Sequence, residues 1–336
     1  MNKMSDKYSK IENVNKKEKN GVGHLLADKK IREELNVAKW NIWLPSHSPL
    51  VKNSEIVFER SIWTDKGMLQ CKLTVKKSGK ETLLTTKDQK VFLVLQEIVL
   101  EKIKQCLFEM GYTREKLLNL EVFEVKTSLT EILKRLGLKP IAENYKFLKR
   151  SLMRLRGTLF VWENAFYSGK DKEYYTLLDT FNLLVKLKIG KSKKEGKKAN
   201  EDKDKFVTIF ALNPYIFRNL VLNHTKPTLI DVVLSFKSEI AQKLYTILDL
   251  ILANKNFDEV YERKTEHLFF IDLKLNNKTY NYPSERKRVL EKAIKELNGK
   301  PLSNGGFLEV GLEACNFVSD YKFIARKIEA QSYKNE

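Results

Sequence analysis

Apolar positions recur at helical spacing in two separated stretches of the chain, and each stretch is followed by segments in which they alternate. In the first, Val91, Phe92, Val94, Leu95, Ile98, Val99 and Ile103 form a wide stripe. It predicts a helix from near Thr86 to about Met110, with Thr86 or Asp88 as its cap. Phe123 to Val125 reads as a short strand, after which Ser128 caps a helix ending at Gly137. Lys139-Pro140 closes that helix, because proline disfavours helical geometry in the residue before it. Tyr145, Leu148, Leu152 and Leu155 then recur at spacings of three and four, so a helix from about Ala142 to Arg156 turns them to the core. Strand texture follows at Thr158 to Trp162, Tyr174 to Lys188 and Phe206 to Leu212.

The order then returns. Asn213-Pro214 opens a helix to Leu222, a second helical run reaches Phe236, and a strong helix starts at Ser238 and carries Ile240, Leu244, Ile247, Leu248 and Ile251. Phe269 to Leu275 is a short apolar element, and Pro283 begins a helix with Leu290, Ala293, Ile294 and Leu297 inward. Gly305-Gly306 and the alternating Phe307, Val310, Leu312 and Phe317 predict a hairpin. Short helix, turn, basic helix and hairpin is the order by which winged-helix modules lay a helix in the major groove of DNA. The pattern therefore predicts an α+β fold of two tandem winged-helix domains. Their expected limits are 39–212, with a long Lys-rich wing loop at 189–205, and 213–328. Residues 1–38 read as a flexible basic N-terminal arm and 329–336 as a polar tail.

Charge sharpens this picture. Lys and Arg number 62 against 43 Asp and Glu, a net charge of +19, which suits a polyanionic partner, because neutralising phosphates releases condensed counterions. On the first basic helix Lys146, Arg150, Met153 and Arg154 are expected to face outward, with Asn144 and Lys149 on the shoulders. The run from Gly190 to Lys198 reads as the tip of the first wing, with Lys193 and Lys194 offered to the DNA backbone. In the second basic helix Ser284, Arg286, Lys287, Arg288 and Lys292 are the expected contacts, and its N-terminal turn is the most basic part. Arg150, Arg154, Arg286 and Arg288 are the candidates for base or close backbone contact.

Other chemistries find little support. His24, His47, His224 and His267 stand apart, so the His-x-His pair of a metal-dependent nickase is missing. Gly190-Lys191-Ser192 has the end of a P-loop, but Val185 stands where that motif needs glycine. Asp202, Asp204, Asp249 and Asp258 lack the repeated spacing of a two-metal nuclease site. No enzymatic activity, metal or cofactor is expected. Cys71, Cys106 and Cys315 are odd in number and lack paired spacing. With no apolar run near the roughly 20 residues of a membrane span and no signal-peptide core, a cytoplasmic protein is expected.

Leu212-Asn213-Pro214, Lys226-Pro227, Leu234-Ser235-Phe236-Lys237-Ser238, Ala241-Gln242-Lys243-Leu244-Tyr245 and Tyr282-Pro283-Ser284 with Arg288, Leu290, Ala293-Ile294 and Leu297 resemble the plasmid replication initiator protein A family. The resemblance covers roughly 206–300. It implies a non-enzymatic initiator that binds repeated sites, often iterons, in the double-stranded DNA of a plasmid origin. It also implies melting of adjacent AT-rich DNA, recruitment of the host initiator and replicative helicase, and a homodimeric state that represses its own gene. A winged-helix transcriptional repressor reading an operator shares every physical feature so far. A partner-binding protein whose first domain mainly dimerises is the third reading, suited by the broad apolar face of the 86–110 helix.

Overall fold

The computed structural model describes residues 30–64, 67–174, 179–191, 206–275, 278–315 and 320–329. Strand β1 (Lys30–Glu34) leads into α1 (Leu35–Trp40), followed by β2 (Glu55–Thr64), β3 (Gly67–Lys76), α2 (Thr86–Phe108) and α3 (Arg114–Leu118). Next come β4 (Val125–Ser128), α4 (Leu129–Arg135), α5 (Ala142–Gly157), β5 (Leu159–Glu163), β6 (Tyr167–Ser168) and β7 (Glu173–Tyr174). Then follow β8 (Asp179–Asn182), β9 (Leu184–Lys191), β10 (Phe206–Leu212), α6 (Pro214–Val221), β11 (Thr225–Leu229), α7 (Ile230–Ser235) and α8 (Glu239–Ile251). The chain closes with β12 (Tyr261–Lys264), α9 (Thr265–His267) continued by a π-helical turn at Leu268–Asp272, α10 (Pro283–Leu297), β13 (Phe307–Ala314) and β14 (Tyr321–Ile328). The fold is α+β.

One unit of topology occurs twice. α2, β4, α4, α5, β9 and β10 follow in order, and their sheet runs β4-β10-β9. α8, β12, α9, α10, β13 and β14 repeat the order, with a sheet running β12-β14-β13. In each copy the last strand lies in the middle and pairs antiparallel with both neighbours. The first copy is interrupted after α5, where β5 and β8 join β2 and β3 in a separate sheet of order β2-β3-β5-β8. The strand texture expected from Tyr174 to Lys188 forms more than one strand: residues 175–178 lie outside the described set, and the remainder divides at Leu183. Leu183 is buried, and its carbonyl accepts from the Asn213 amide at 3.0 Å, which fixes the break where the chain changes sheets. Phe317, expected in the second hairpin, also lies outside the described residues.

α2 joins the two copies. Val91, Phe92, Leu93, Val94 and Leu95 are all buried, so consecutive positions point into protein on every side, as a helix enclosed by its neighbours requires. The Gln242 amide on α8 donates to the Thr86 carbonyl at 2.7 Å and to Gln89 Oε1 at 2.9 Å. Lys90 Nζ donates to the Phe236 and Leu234 carbonyls at the C-terminal end of α7 at 2.7 and 3.1 Å. α6, expected to open the second domain, turns back onto first-half aromatics: Phe217 stacks on Phe123 with ring centroids 4.6 Å apart, and Tyr215 meets Phe181 at 5.6 Å.

Residues 30–38, expected to belong to the flexible arm, are instead built in. β1 pairs antiparallel with β11 over Lys30↔Leu229 to Glu34↔Thr225. Glu34 is fully buried and caps α1 by accepting from the Val37 amide at 2.9 Å, while Asn36 and Asn219 also donate to it at 2.7 and 2.9 Å. Glu33 accepts from Thr228 Oγ1 at 2.8 Å, beside a Lys226–Asp249 ion pair of 2.8 Å. Burial pushes both glutamates above the usual carboxylate range. A polar amino-acid string looks like a tail, but here its acids find buried donors.

Candidate nucleic-acid interface

α5 buries Leu148, Ser151, Leu152 and Leu155, and its opposite face exposes Lys146, Arg150, Met153 and Arg156. Asn144 and Lys149 are half-buried on the shoulders, with the Asn144 amide donating to the Lys139 carbonyl at 2.8 Å. Arg154 does not belong to this face. Its side chain is 12% exposed, and Nη2 meets Asp88 Oδ1 at 2.7 Å while Nε donates at 3.1 Å to Oδ2. Asp88, fully buried in the first turn of α2, also accepts from Ser151 Oγ at 2.5 Å and from the Thr85 amide and hydroxyl at 2.8 and 2.9 Å. One carboxylate thus closes the N-terminus of α2, with Thr85 as the N-cap, and bolts α5 to it through Arg154. The expectation that Arg154 contacts DNA is corrected accordingly.

α10 carries a second bolt. Arg286 is buried: Nη2 donates to Asp320 Oδ1 at 3.0 Å, Nε to Thr265 Oγ1 at 3.2 Å, and Nη1 to the Tyr280 and Asn281 carbonyls at 2.9 and 2.8 Å. It therefore ties α10 to α9 and the start of β14 and cannot face DNA. Burial pushes the Asp320 carboxyl up, but hydrogen bonds from Thr265, the Tyr321 amide and Arg286 outweigh it and hold the group below its ordinary range. Of the remaining expected residues on this helix, Ser284, Arg288 and Lys292 are exposed. Lys287 is half-buried over the Tyr321 ring at 4.9 Å, with Glu291 3.9 Å away. Glu296 accepts from the Lys237 and Ser238 amides at 2.9 and 3.2 Å, so this acid serves the start of α8. Lys193 and Lys194 lie outside the described residues, between β9 and β10.

Lys126 on β4, Ile209 on β10 and Lys188 on β9 lie abreast in register, and both lysines are exposed. On the second sheet Lys322 pairs with Glu262 at 2.9 Å and Arg326 pairs with Glu309. Sequence reasoning missed Lys126 and Lys188, although period-two alternation along β9 would have found the latter. Among the described residues no helix is long and apolar enough to cross a membrane.

The molecule is an α+β protein with one helix–strand–helix–helix–hairpin unit used twice. Its fold is similar to that of a selenomethionine crystal structure of domains 2 and 3 of RctB, with a TM-score of 0.53 at 12% identity, covering 87% of this chain and 97% of that one. A second crystal structure of RctB domains 2–3 aligns at a TM-score of 0.49 and 12% identity, over 88% and 98% of the two chains. No protein-family model matches the sequence. No curated protein matches it either.

Proposed function

We propose that the chain is a sequence-specific, non-enzymatic DNA-binding protein that initiates plasmid replication, with its two repeated units acting as winged-helix modules on repeated origin sites. The observation that carries this reading is the repeated unit, whose third helix in each copy is bolted inward by one arginine and presents other cations to solvent: Lys146, Arg150 and Arg156 on α5, Arg288 and Lys292 on α10. Such an arrangement fixes the helix while leaving exposed groups for phosphates and base edges. Met153, 54% exposed within the basic row, offers an apolar contact to a thymine methyl. Lys126 and Lys188, exposed and without an ion pair among the described residues, give the first sheet a further place along the backbone, whereas Lys322 and Arg326 on the second sheet are paired with Glu262 and Glu309. In the same proposal the protein forms a homodimer in one of its states and hands the opened origin to the host initiator and replicative helicase.

Footprinting of the purified protein on DNA flanking its own gene tests the reading. Evenly spaced direct repeats of protection support an initiator. A single inverted repeat at the promoter, with a minimal origin that replicates without the gene, would transfer the proposal to a repressor; no protection at any site would remove it.

A further inference from the structure

Between the two halves lies a cavity of about 220 Å³, with Lys39, Asn41, Glu59 and Arg60 on one wall and Ile247, Asp272 and Lys274 on the other. Three cations thus face two carboxylates. Among the described residues Lys39, Arg60 and Lys274 have no carboxylate within ion-pair distance, and Asp272 is already engaged by Arg263 at 2.9 Å. Arg60 sits 4.0 Å over the Trp40 ring and donates to the Lys39 carbonyl at 2.5 Å. Burial, together with the neighbouring Arg60, lowers the proton affinity of Lys39.

One further observation points to a missing partner. Lys243, one turn before Ile247 on α8 and next to the cavity lining, is fully buried, its Nζ has no hydrogen-bond partner among the described residues, and Lys274 and Asp272 of the lining are near enough to act on its charge. A buried polar group without a partner is costly and calls for a reason. Asn41 and Lys274, on opposite walls, both hold left-handed backbone conformations, with φ of 44° and 55°. For lysine that conformation is uncommon and is maintained by its surroundings, here partly by Ser48, whose hydroxyl donates to the Lys274 carbonyl at 2.5 Å.

We propose that this cavity binds a small phosphate-class anion, of the size of inorganic phosphate or pyrophosphate, held between Lys39 and Arg60 of the first half and Lys274 of the second. Three lining cations supply charge in excess of the Glu59 and Asp272 carboxylates, the second of which Arg263 already holds. The volume is below the roughly 300–1,000 Å³ of drug-sized sites, which limits the ligand to a compact one. An anion spanning the two walls ties the halves together, so occupancy stabilises their junction. The site is separate from the exposed rows of α5 and α10 and stands whether or not those rows bind DNA.

Thermal unfolding and titration calorimetry of the full chain with inorganic pyrophosphate, against sodium chloride at matched ionic strength, test the site. The expected result is a saturable rise in melting temperature with one pyrophosphate bound per chain. Lys274→Gln weakens that binding by at least about tenfold, the loss of one well-placed charged contact. Lys39→Gln does the same and serves if the first variant fails to fold, while Lys104→Gln, an exposed cation on α2, leaves the affinity unchanged. Stabilisation that chloride reproduces, or an affinity that survives both cavity variants, overturns the proposal. A duplex oligonucleotide that competes with pyrophosphate identifies a DNA phosphate as the natural source, and one that binds alongside it identifies a free anion; both results support the phosphate site.

Discussion

Arg154 and Arg286 each leave a buried carboxylate behind when shortened. Arg154→Ala strands Asp88 at the start of α2, and Arg286→Ala strands Asp320 beside Thr265, so each is expected to lower unfolding free energy by about 3–5 kcal/mol in urea titrations. Arg150→Ala and Arg288→Ala, at exposed positions, should change stability by no more than about 0.5 kcal/mol. If either reads a base, its loss weakens specific binding by about 1–3 kcal/mol in gel-shift titrations and relaxes one position of the site. Lys243 adds a pH dependence. Burial, reinforced by Lys274, lowers its pKa to about 7 in the folded protein, whereas the unfolded chain keeps its proton up to the ordinary value near 10.5. Between those values the unfolded state binds more protons, so stability rises as pH climbs from about 7 toward 10. Lys243→Met should flatten that rise and melt higher than the parent at pH 7; a rise of the same slope in the variant would remove Lys243 as its source. Part of this was open to sequence reasoning. Arg286 stands at the head of the spacing Arg286, Leu290, Ala293, Leu297, the inward stripe of its helix, yet its charge argued for solvent. Its acid partner, distant in sequence, is what the spacing could not supply.

At the scale of elements, the long helices were legible because their apolar periodicity is strong: α2, α5 and α10 fall within a few residues of the spans expected from it, although α2 is capped by Thr85 rather than by Thr86 or Asp88. What was hidden depends on distant pairing. β1 has no apolar run of its own and becomes a strand because β11 offers it a ladder and buried donors for Glu33 and Glu34. The residues that carry the family resemblance also prove to be joints: Ser238 caps α8, Gln242 holds α2, and the Tyr245 hydroxyl donates to the Pro301 carbonyl at 2.7 Å. Ile31, buried where β1 meets the core, tests how far this strand staples the two halves. Ile31→Ala should cost about 2–4 kcal/mol and speed amide exchange across Thr225–Leu229 ahead of the other strands. Uniform exchange across all sheets would show that β1 has no special hold.

For the whole molecule, the net charge of +19 makes any DNA affinity steeply salt-dependent. If about six phosphates are neutralised, affinity should fall roughly a thousandfold between 50 and 200 mM salt, and Lys188→Ala should lower the slope of log affinity against log salt by about one without changing sequence preference. A slope near zero would remove the polyanion reading. α2 belongs to the first repeated unit and is also the abutment for α7 and α8 of the second half. On the DNA-reading proposal, the two modules cannot swivel to suit their target, because the same helix is built into both. The spacing between the segments they contact is then a fixed screw displacement in rise and rotation. A single inserted base pair would turn one segment away by roughly a tenth of a helical turn, and a full-turn insertion, which restores the face, would still move it roughly 34–36 Å out of reach.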